Sequence, residues 1–313
     1  MTKRLALTLC LLLGLAPSGP AAALEKRNFL HQETERAYYI HNDKPVENAP
    51  RPLVVALHGY SGKGEAVRGS HRLAEHLWAK LDEIAQREGF VTLYPVALHG
   101  QWNLFPGLKD TTLESGEPAD DVGYIHGLVA DMVAKGIADP NRIYLTGFSD
   151  GAILSYRLLC LDGPGVFAAA VPIAGSMHQP HYDSCAPDFV PPILVIAGTR
   201  DPILPYDGWL FSGGREVSIP ETMELWRKLH GCDAQSWTLM ADRVVEDSSR
   251  VRAVTWTGCA TPDSVKLLRI EGGGHQAPSF TPGPARWTER FGPRNQDIES
   301  AEEIWRFLSV FAK

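Results

Sequence analysis

The sequence predicts an α/β protein with a mostly parallel central sheet and helices on both of its faces. Three observations carry this. Short apolar runs alternate along the 313 residues with segments whose apolar positions recur at helical spacing. Most of the runs are continuous, as strands buried on both faces require. No repeat, Ser/Thr/Pro linker or break in composition interrupts the pattern, so residues 24–313 read as one domain.

The elements follow in chain order. Residues 53–57 form a buried strand, and Leu73, Leu77, Leu81, Ile84 and Ala85 recur as one face of a helix that stops near Gly89. Residues 90–94 form the next strand, ended by Pro95, and Val122, Ile125, Val129, Met132 and Val133 mark a second helix. A strand over 142–146 leads into a helix over 152–161, and strands over 167–174 and 193–197 come next. Residues 223–229 read as helical, and 251–257 and 265–270 as alternating strands. A last helix is expected after Asp297 as N-cap, with Ile298, Ala301, Ile304, Trp305, Leu308 and Phe311 on one side. Residues 98–118, 176–192 and 276–296 lack periodicity and read as long loops over the C-terminal ends of the strands, where such folds shape their pockets.

Composition narrows the function. Apolar residues make up 44% and charged residues 21%, which excludes a disordered chain. The net charge of −7 and the lack of a basic cluster exclude nucleic acid as a partner. Residues 1–23 read as a secretory signal: Lys3 and Arg4 precede an apolar core over 5–15, and Ala21-Ala22-Ala23 offers a cleavage site. The core is too short to span a membrane, so no stable membrane association is expected and the protein should be secreted or periplasmic. Cys10 leaves with the signal. The remaining Cys160, Cys185, Cys232 and Cys259 read as two disulfides with three possible connectivities, of which sequential pairing closes short loops. Zinc is not expected, because no C-x-x-C pair is present.

The chemistry centres on Gly147-Phe148-Ser149-Asp150-Gly151, a G-x-S-x-G run between a predicted strand and a predicted helix. That context makes it a nucleophile elbow and the fold an α/β-hydrolase. A serine nucleophile needs a base and an orienting carboxylate, in the chain order Ser, acid, His. Asp201 lies just past the strand 193–197, with Asp207 as competitor in a turn before Gly208. His275 follows strand 265–270 and three glycines, whose loop can bring the imidazole close to another backbone. His178 and His181 read as polar loop residues, His230 as a cation suited to a helix C-terminus, and His58 as a brace for its loop. The oxyanion hole is assigned to the N–H groups of Asp150 and Tyr60, with Gly62 and Gly64 making the Tyr60 loop compliant. Asp120 and Asp121 read as N-caps of the helix near Val122 rather than a catalytic carboxylate pair; Trp102 and Asn103 read as either pocket lining or packing.

Taken together, Leu57-His58-Gly59, Asp120-Asp121-Val122-Gly123, residues 139–149, Phe167-Ala168-Ala169, residues 198–202 and Gly272-Gly273-Gly274-His275 resemble one group. It is the secreted α/β-hydrolases classed as polyhydroxybutyrate depolymerase and feruloyl esterase-like proteins, carbohydrate esterase family one. The resemblance implies a serine esterase with triad Ser149, Asp201 and His275, acting without a cofactor or metal on feruloyl, acetyl or hydroxyalkanoate-type soluble esters. The cysteines after Gly231 and in Thr257-Gly258-Cys259 match a pair often bridged in that group, and Cys160–Cys185 with Cys232–Cys259 is the expected pairing. Three departures stand out. Asp150 replaces the usual Asn, Ala152 a second Gly, and Gln276-Ala277-Pro278 the usual polar residue, Trp and Pro. The alternatives are depolymerisation of polyhydroxybutyrate, less expected because no linker or polymer-binding domain is seen, and a non-catalytic binding protein on a hydrolase scaffold.

Overall fold

The computed structural model describes residues 24–43, 50–61, 72–104, 118–161, 165–211 and 214–313. The signal segment with Cys10, and Gly62 and Gly64, lie outside the described residues. The strands are β1 Glu25–His31, β2 Thr34–His41, β3 Arg51–Leu57, β4 Val91–Pro95, β5 Ala138–Phe148, β6 Ala169–Ile173 and β7 Ile193–Gly198. They continue with β8 Trp209–Phe211, β9 Gly214–Glu216, β10 Ala234–Leu239, β11 Arg250–Thr257 and β12 Val265–Glu271. The helices are α1 Arg72–Glu88, α2 Asp121–Ala134, α3 Asp150–Leu161, α4 Gln179–Ser184, α5 Ile219–Leu229, α6 Ala285–Phe291 and α7 Ser300–Leu308.

Ten of the described strands form one sheet in the order β1-β2-β4-β3-β5-β6-β7-β12-β11-β10. Its centre, from β4 to β12, is parallel, and β1, β2, β11 and β10 extend it antiparallel at the two edges. The central strands read as continuous apolar runs because both faces are covered. Leu53, Val55 and Leu57 of β3 pack with α2, α3 and α5, whereas Val54 and Ala56 pack with α1 and α7. This is the α/β-hydrolase architecture. Among the described residues no helix is long and apolar enough to cross a membrane.

Several boundaries differ from expectation for identifiable reasons. The last helix begins at Ser300 and ends at Leu308, before Phe311; Asp297 is not its N-cap. The Asp297 carboxylate instead accepts the Arg243 N–H at 2.6 Å and the Asn295 amide at 2.9 Å. Helix α5 starts at Ile219, four residues before the apolar signal, because Ser218 and Glu221 form a reciprocal capping box. The loops at 176–192 and 276–296 hold α4 and α6, and the hairpin β8–β9 follows the Asp201 loop.

The structure pairs Cys160 with Cys185 and Cys232 with Cys259, at sequence separations of 25 and 27. The second bridge ties the segment after α5 to the end of β11. Loops of this size restrict the unfolded chain by about 3 kcal/mol each in the chain-entropy account. A Cys232→Ser/Cys259→Ser double variant is therefore expected to lose about 3 kcal/mol in urea unfolding at unchanged secondary structure, measured against the oxidised parent.

Candidate active site

Ser149 sits at the hinge between β5 and α3 with φ at 58°, a left-handed conformation that costs a non-glycine residue energy. The turn is held by its neighbours. Its N–H donates to the Ile173 carbonyl at 3.0 Å, and its own carbonyl accepts from Ala152 and Ile153. The flanking glycines are required by close approach. A Cβ on Gly147 would come within 2.1 Å of the Gly151 carbonyl oxygen, and one on Gly151 within 2.1 Å of the Leu57 oxygen. Ala152 fits at this position because it faces Gly175, where a Cβ would lie 2.9 Å from the Ala152 methyl.

His275 reaches the same point from the far side of β7. Its Nε2 lies 2.9 Å from Ser149 Oγ and its Nδ1 lies 2.7 Å from Asp201 Oδ2. All three residues are buried. The glycine run serves a close backbone crossing: a Cβ on Gly198 would meet the Gly273 oxygen at 2.4 Å, and one on Gly274 the Phe291 oxygen at 2.1 Å. The His275 N–H is fixed on the Phe291 carbonyl, and the ring lies against Phe148 with centroids 5.1 Å apart. Asp201 is oriented by its own loop, because Oδ1 accepts the N–H groups of Ile203 and Leu204, both at 2.8 Å. Oδ2 is thereby left for the imidazole. Asp207 lies exposed in a turn closed by the Gly208 N–H on the Pro205 carbonyl.

Asp150 begins α3 directly after Ser149, and Gly59 lies against that serine, where an added Cβ would stand 3.0 Å from Ser149 Cβ. Tyr60 follows Gly59 with a largely exposed ring. Asp150 thus borders Ser149 in the chain, and Tyr60 follows a residue that lies against it. His58 braces its loop as expected: Nδ1 donates to the Gly59 carbonyl at 2.6 Å and Nε2 accepts the Ala97 N–H at 3.0 Å. Burial holds this imidazole down to about 4, so it stays neutral.

The remaining candidates are structural. Asp120 caps α2 through the Gly123 N–H at 2.9 Å, whereas Asp121 is no cap: it is buried, paired with Arg36 at 2.6 Å, and accepts the Asn103 N–H. Trp102 is buried and donates to the His58 carbonyl, and the Asn103 side chain donates to Ala119, so both pack. His230 is not a cation at a helix end. It is buried, its Nε2–H donates to the Pro191 carbonyl at 3.1 Å, and burial lowers its pKa. His178 and His181 are likewise not polar loop residues, for both are buried at the start of α4.

One residue here has no counterpart in the sequence reading. Glu216, at the end of β9, is 1% exposed and accepts the Trp209 indole N–H at 2.7 Å. Its other oxygen is 3.9 Å from His178 Nε2, but burial pushes that imidazole down to about 3, so it carries no compensating charge. Burial pushes Glu216 up to about 7, with the charges of Asp150 and Asp201 adding to the rise. Burial also raises Asp150, to about 6, against the opposing effect of His275. A carboxyl whose folded pKa lies above its unfolded value stabilises the fold fully at low pH, and that contribution is lost as pH rises through the folded value. Glu216→Gln keeps an acceptor for Trp209 without the charge. It is expected to leave stability near pH 4.5 little changed and to raise it by about 3 kcal/mol at pH 8, read by urea unfolding at both pH values.

Comparison with known proteins finds similarity to esterases. The family model described as esterase PHB depolymerase matches residues 36–186. The chain is 28% identical over 262 residues to a protein named putative esterase NocK from Nocardia uniformis subsp. tsuyamanensis, covering 79% of this chain and 72% of that protein. It is 28% identical over 181 residues to feruloyl esterase B of Piromyces equi, covering 56% of this chain but only 31% of that protein. Among solved structures it is similar to acetyl xylan esterase from Aspergillus awamori, with a TM-score of 0.59 at 18% identity over 82% of this chain and 95% of the other.

Proposed function

We propose, from the premise that this chain is a carboxylic ester hydrolase related to the esterase PHB depolymerase family, that it works through an acyl-enzyme on Ser149. The observation that carries this reading is the unbroken hydrogen-bonded chain from Ser149 Oγ through His275 to Asp201. Asp201 accepts the Nδ1 proton and so keeps Nε2 unprotonated and facing the hydroxyl. Ser149 Oγ attacks the ester carbonyl carbon as its proton passes to Nε2. The tetrahedral oxyanion is met by the backbone N–H groups of Asp150 and Tyr60, aided by the N-terminal end of α3. The C–O bond to the alcohol then breaks, and the imidazolium protonates the departing oxygen. A water molecule, deprotonated by the same imidazole, cleaves the acyl-enzyme to release the acid and restore Ser149.

The substrates are soluble short-acyl or aryl esters met outside the cytoplasm, in the periplasm or after secretion. Two disulfides support an oxidising compartment. The names of the relatives, feruloyl esterase and acetylxylan esterase, support feruloyl and acetyl esters as substrates. Exposed Tyr60 beside Gly59, and exposed Ile203 beside Asp201, give the rim apolar side chains on two sides. Rates on p-nitrophenyl esters of rising chain length, methyl ferulate and a polyhydroxybutyrate suspension test this. Soluble esters should be hydrolysed fastest, with burst release from p-nitrophenyl acetate and full loss after treatment with a serine-reactive phosphonate. Faster clearing of the polymer suspension would reverse the substrate assignment, and activity surviving the phosphonate would remove the acyl-enzyme.

A further inference from the structure

A cavity lies on the α5 side of the sheet, between that helix and the outer strands β10, β11 and β12, with Tyr206 of the Asp201 loop at one end. It has a volume of about 530 Å³, the size of a site for one or two rings. Its floor holds an unusual pair. Arg252 of β11 and Arg269 of β12 are directly opposed across the antiparallel ladder, so both guanidinium groups project from the same face. Like charges in this position destabilise a sheet.

The carboxylates around the pair are committed to partners other than Arg269. Arg252 is paired with Glu271 at 2.7 Å and lies over the Trp237 ring, 4.2 Å from its centroid. Arg227, which also lines the cavity, is held by Glu224 through two hydrogen bonds. Asp233 is turned toward Gly258. Arg269 has no carboxylate partner among the described residues; it faces the Tyr206 ring at 5.4 Å, and its buried Nε makes no hydrogen bond. Around it stand Tyr206 and Trp256, both buried, and Trp237, with 55% of its surface exposed. A guanidinium without a carboxylate partner fits a carboxylate, and the exposed Trp237 indole fits a ring.

We infer that this groove binds a carboxylate-bearing ring, with Arg269 on the carboxylate and the exposed Trp237 indole against the ring. Two sources share this chemistry, a sugar acid and an aryl acid. The site is separate from the Ser149 chemistry, and its test does not depend on that reading.

Titration calorimetry of the full chain with glucuronate and with benzoate tests it, with glucose and benzyl alcohol as neutral counterparts. At least one acid should bind saturably, about tenfold or more tighter than its neutral counterpart, and more weakly as salt rises. The tighter acid identifies the source. Arg269→Gln and Trp237→Ala should each weaken binding about tenfold, while Ser149→Ala leaves it unchanged. Hydrolysis of p-nitrophenyl acetate by Arg269→Gln should stay within about twofold of the parent. Trp237→Ala removes an exposed side chain and keeps the test valid if Arg269→Gln proves poorly folded. Equal binding by parent and variants, equal binding of acid and neutral counterpart, or no saturation by either acid would overturn the inference.

Discussion

Replacing Ser149 with alanine should reduce kcat on any soluble ester by about 10⁶, leaving only the residual rate that the oxyanion donors and substrate binding supply. In the proposed mechanism the loss is large because the hydroxyl forms the covalent intermediate, and the imidazole beside it then has no proton to take. Stability should change little. Alanine pays the same left-handed backbone cost as serine at φ 58°, and the removed Oγ bonds only to His275 Nε2 in the described structure. A melting curve that overlays the parent, together with the kcat measurement, separates loss of chemistry from loss of fold. A folded Ser149→Ala protein that keeps more than about one part in 10³ of the parent rate, with impurity excluded by active-site titration, would remove Ser149 from the role of nucleophile.

The elbow and the His275 loop were legible because their glycines are demanded by backbone crossings. Gly147 against Gly151, and Gly198 against Gly273 and Gly274, leave no room for any other residue. Close crossings of this kind leave a mark in the sequence. The parallel strands were legible for a related reason, since burial on both faces makes their apolar runs continuous. The edges were not. The β1–β2 hairpin turns at Gln32 and Glu33, both at positive φ, with no Asn-Gly or Asp-Gly pair to announce it. Strand β10 is exposed along its whole length, so no apolar alternation marks it. The start of α5 could have been read from the Ser218-x-x-Glu221 capping box, which precedes the apolar pattern. Glu216 left no local signal at all. Its significance comes from burial beside Asp150 and Asp201, which are distant in the chain and meet only in the folded molecule. Asp121 was misread for the same reason, because its partner Arg36 lies 85 residues away.

Asp201→Asn should lower kcat by about 10⁴ with little change in KM or melting temperature, while Asp207→Asn should stay within about twofold of the parent. The argument rests on which atom faces the imidazole. In the parent, Asp201 Oδ1 is committed to the Ile203 and Leu204 N–H groups, and Oδ2 accepts from His275 Nδ1. An asparagine would keep its carbonyl oxygen on the same two N–H donors, because an amide nitrogen there would set donor against donor. Its NH₂ group would then face Nδ1 and accept nothing. The favoured imidazole would be the other tautomer, with the proton on Nε2, where it cannot remove a proton from Ser149 Oγ. The charge that stabilises the imidazolium during acyl transfer would be lost as well. The same variant should therefore react with a serine-directed phosphonate more slowly by a similar factor, since that reaction also needs the hydroxyl deprotonated as it attacks. Asp207 sits exposed in the turn before Gly208, and its substitution removes only a solvated charge. If Asp207→Asn were the inactive variant and Asp201→Asn retained the parent rate, the acid would have to move to the later residue. The loop that now directs Asp201 toward His275 would then have to rearrange in the working enzyme.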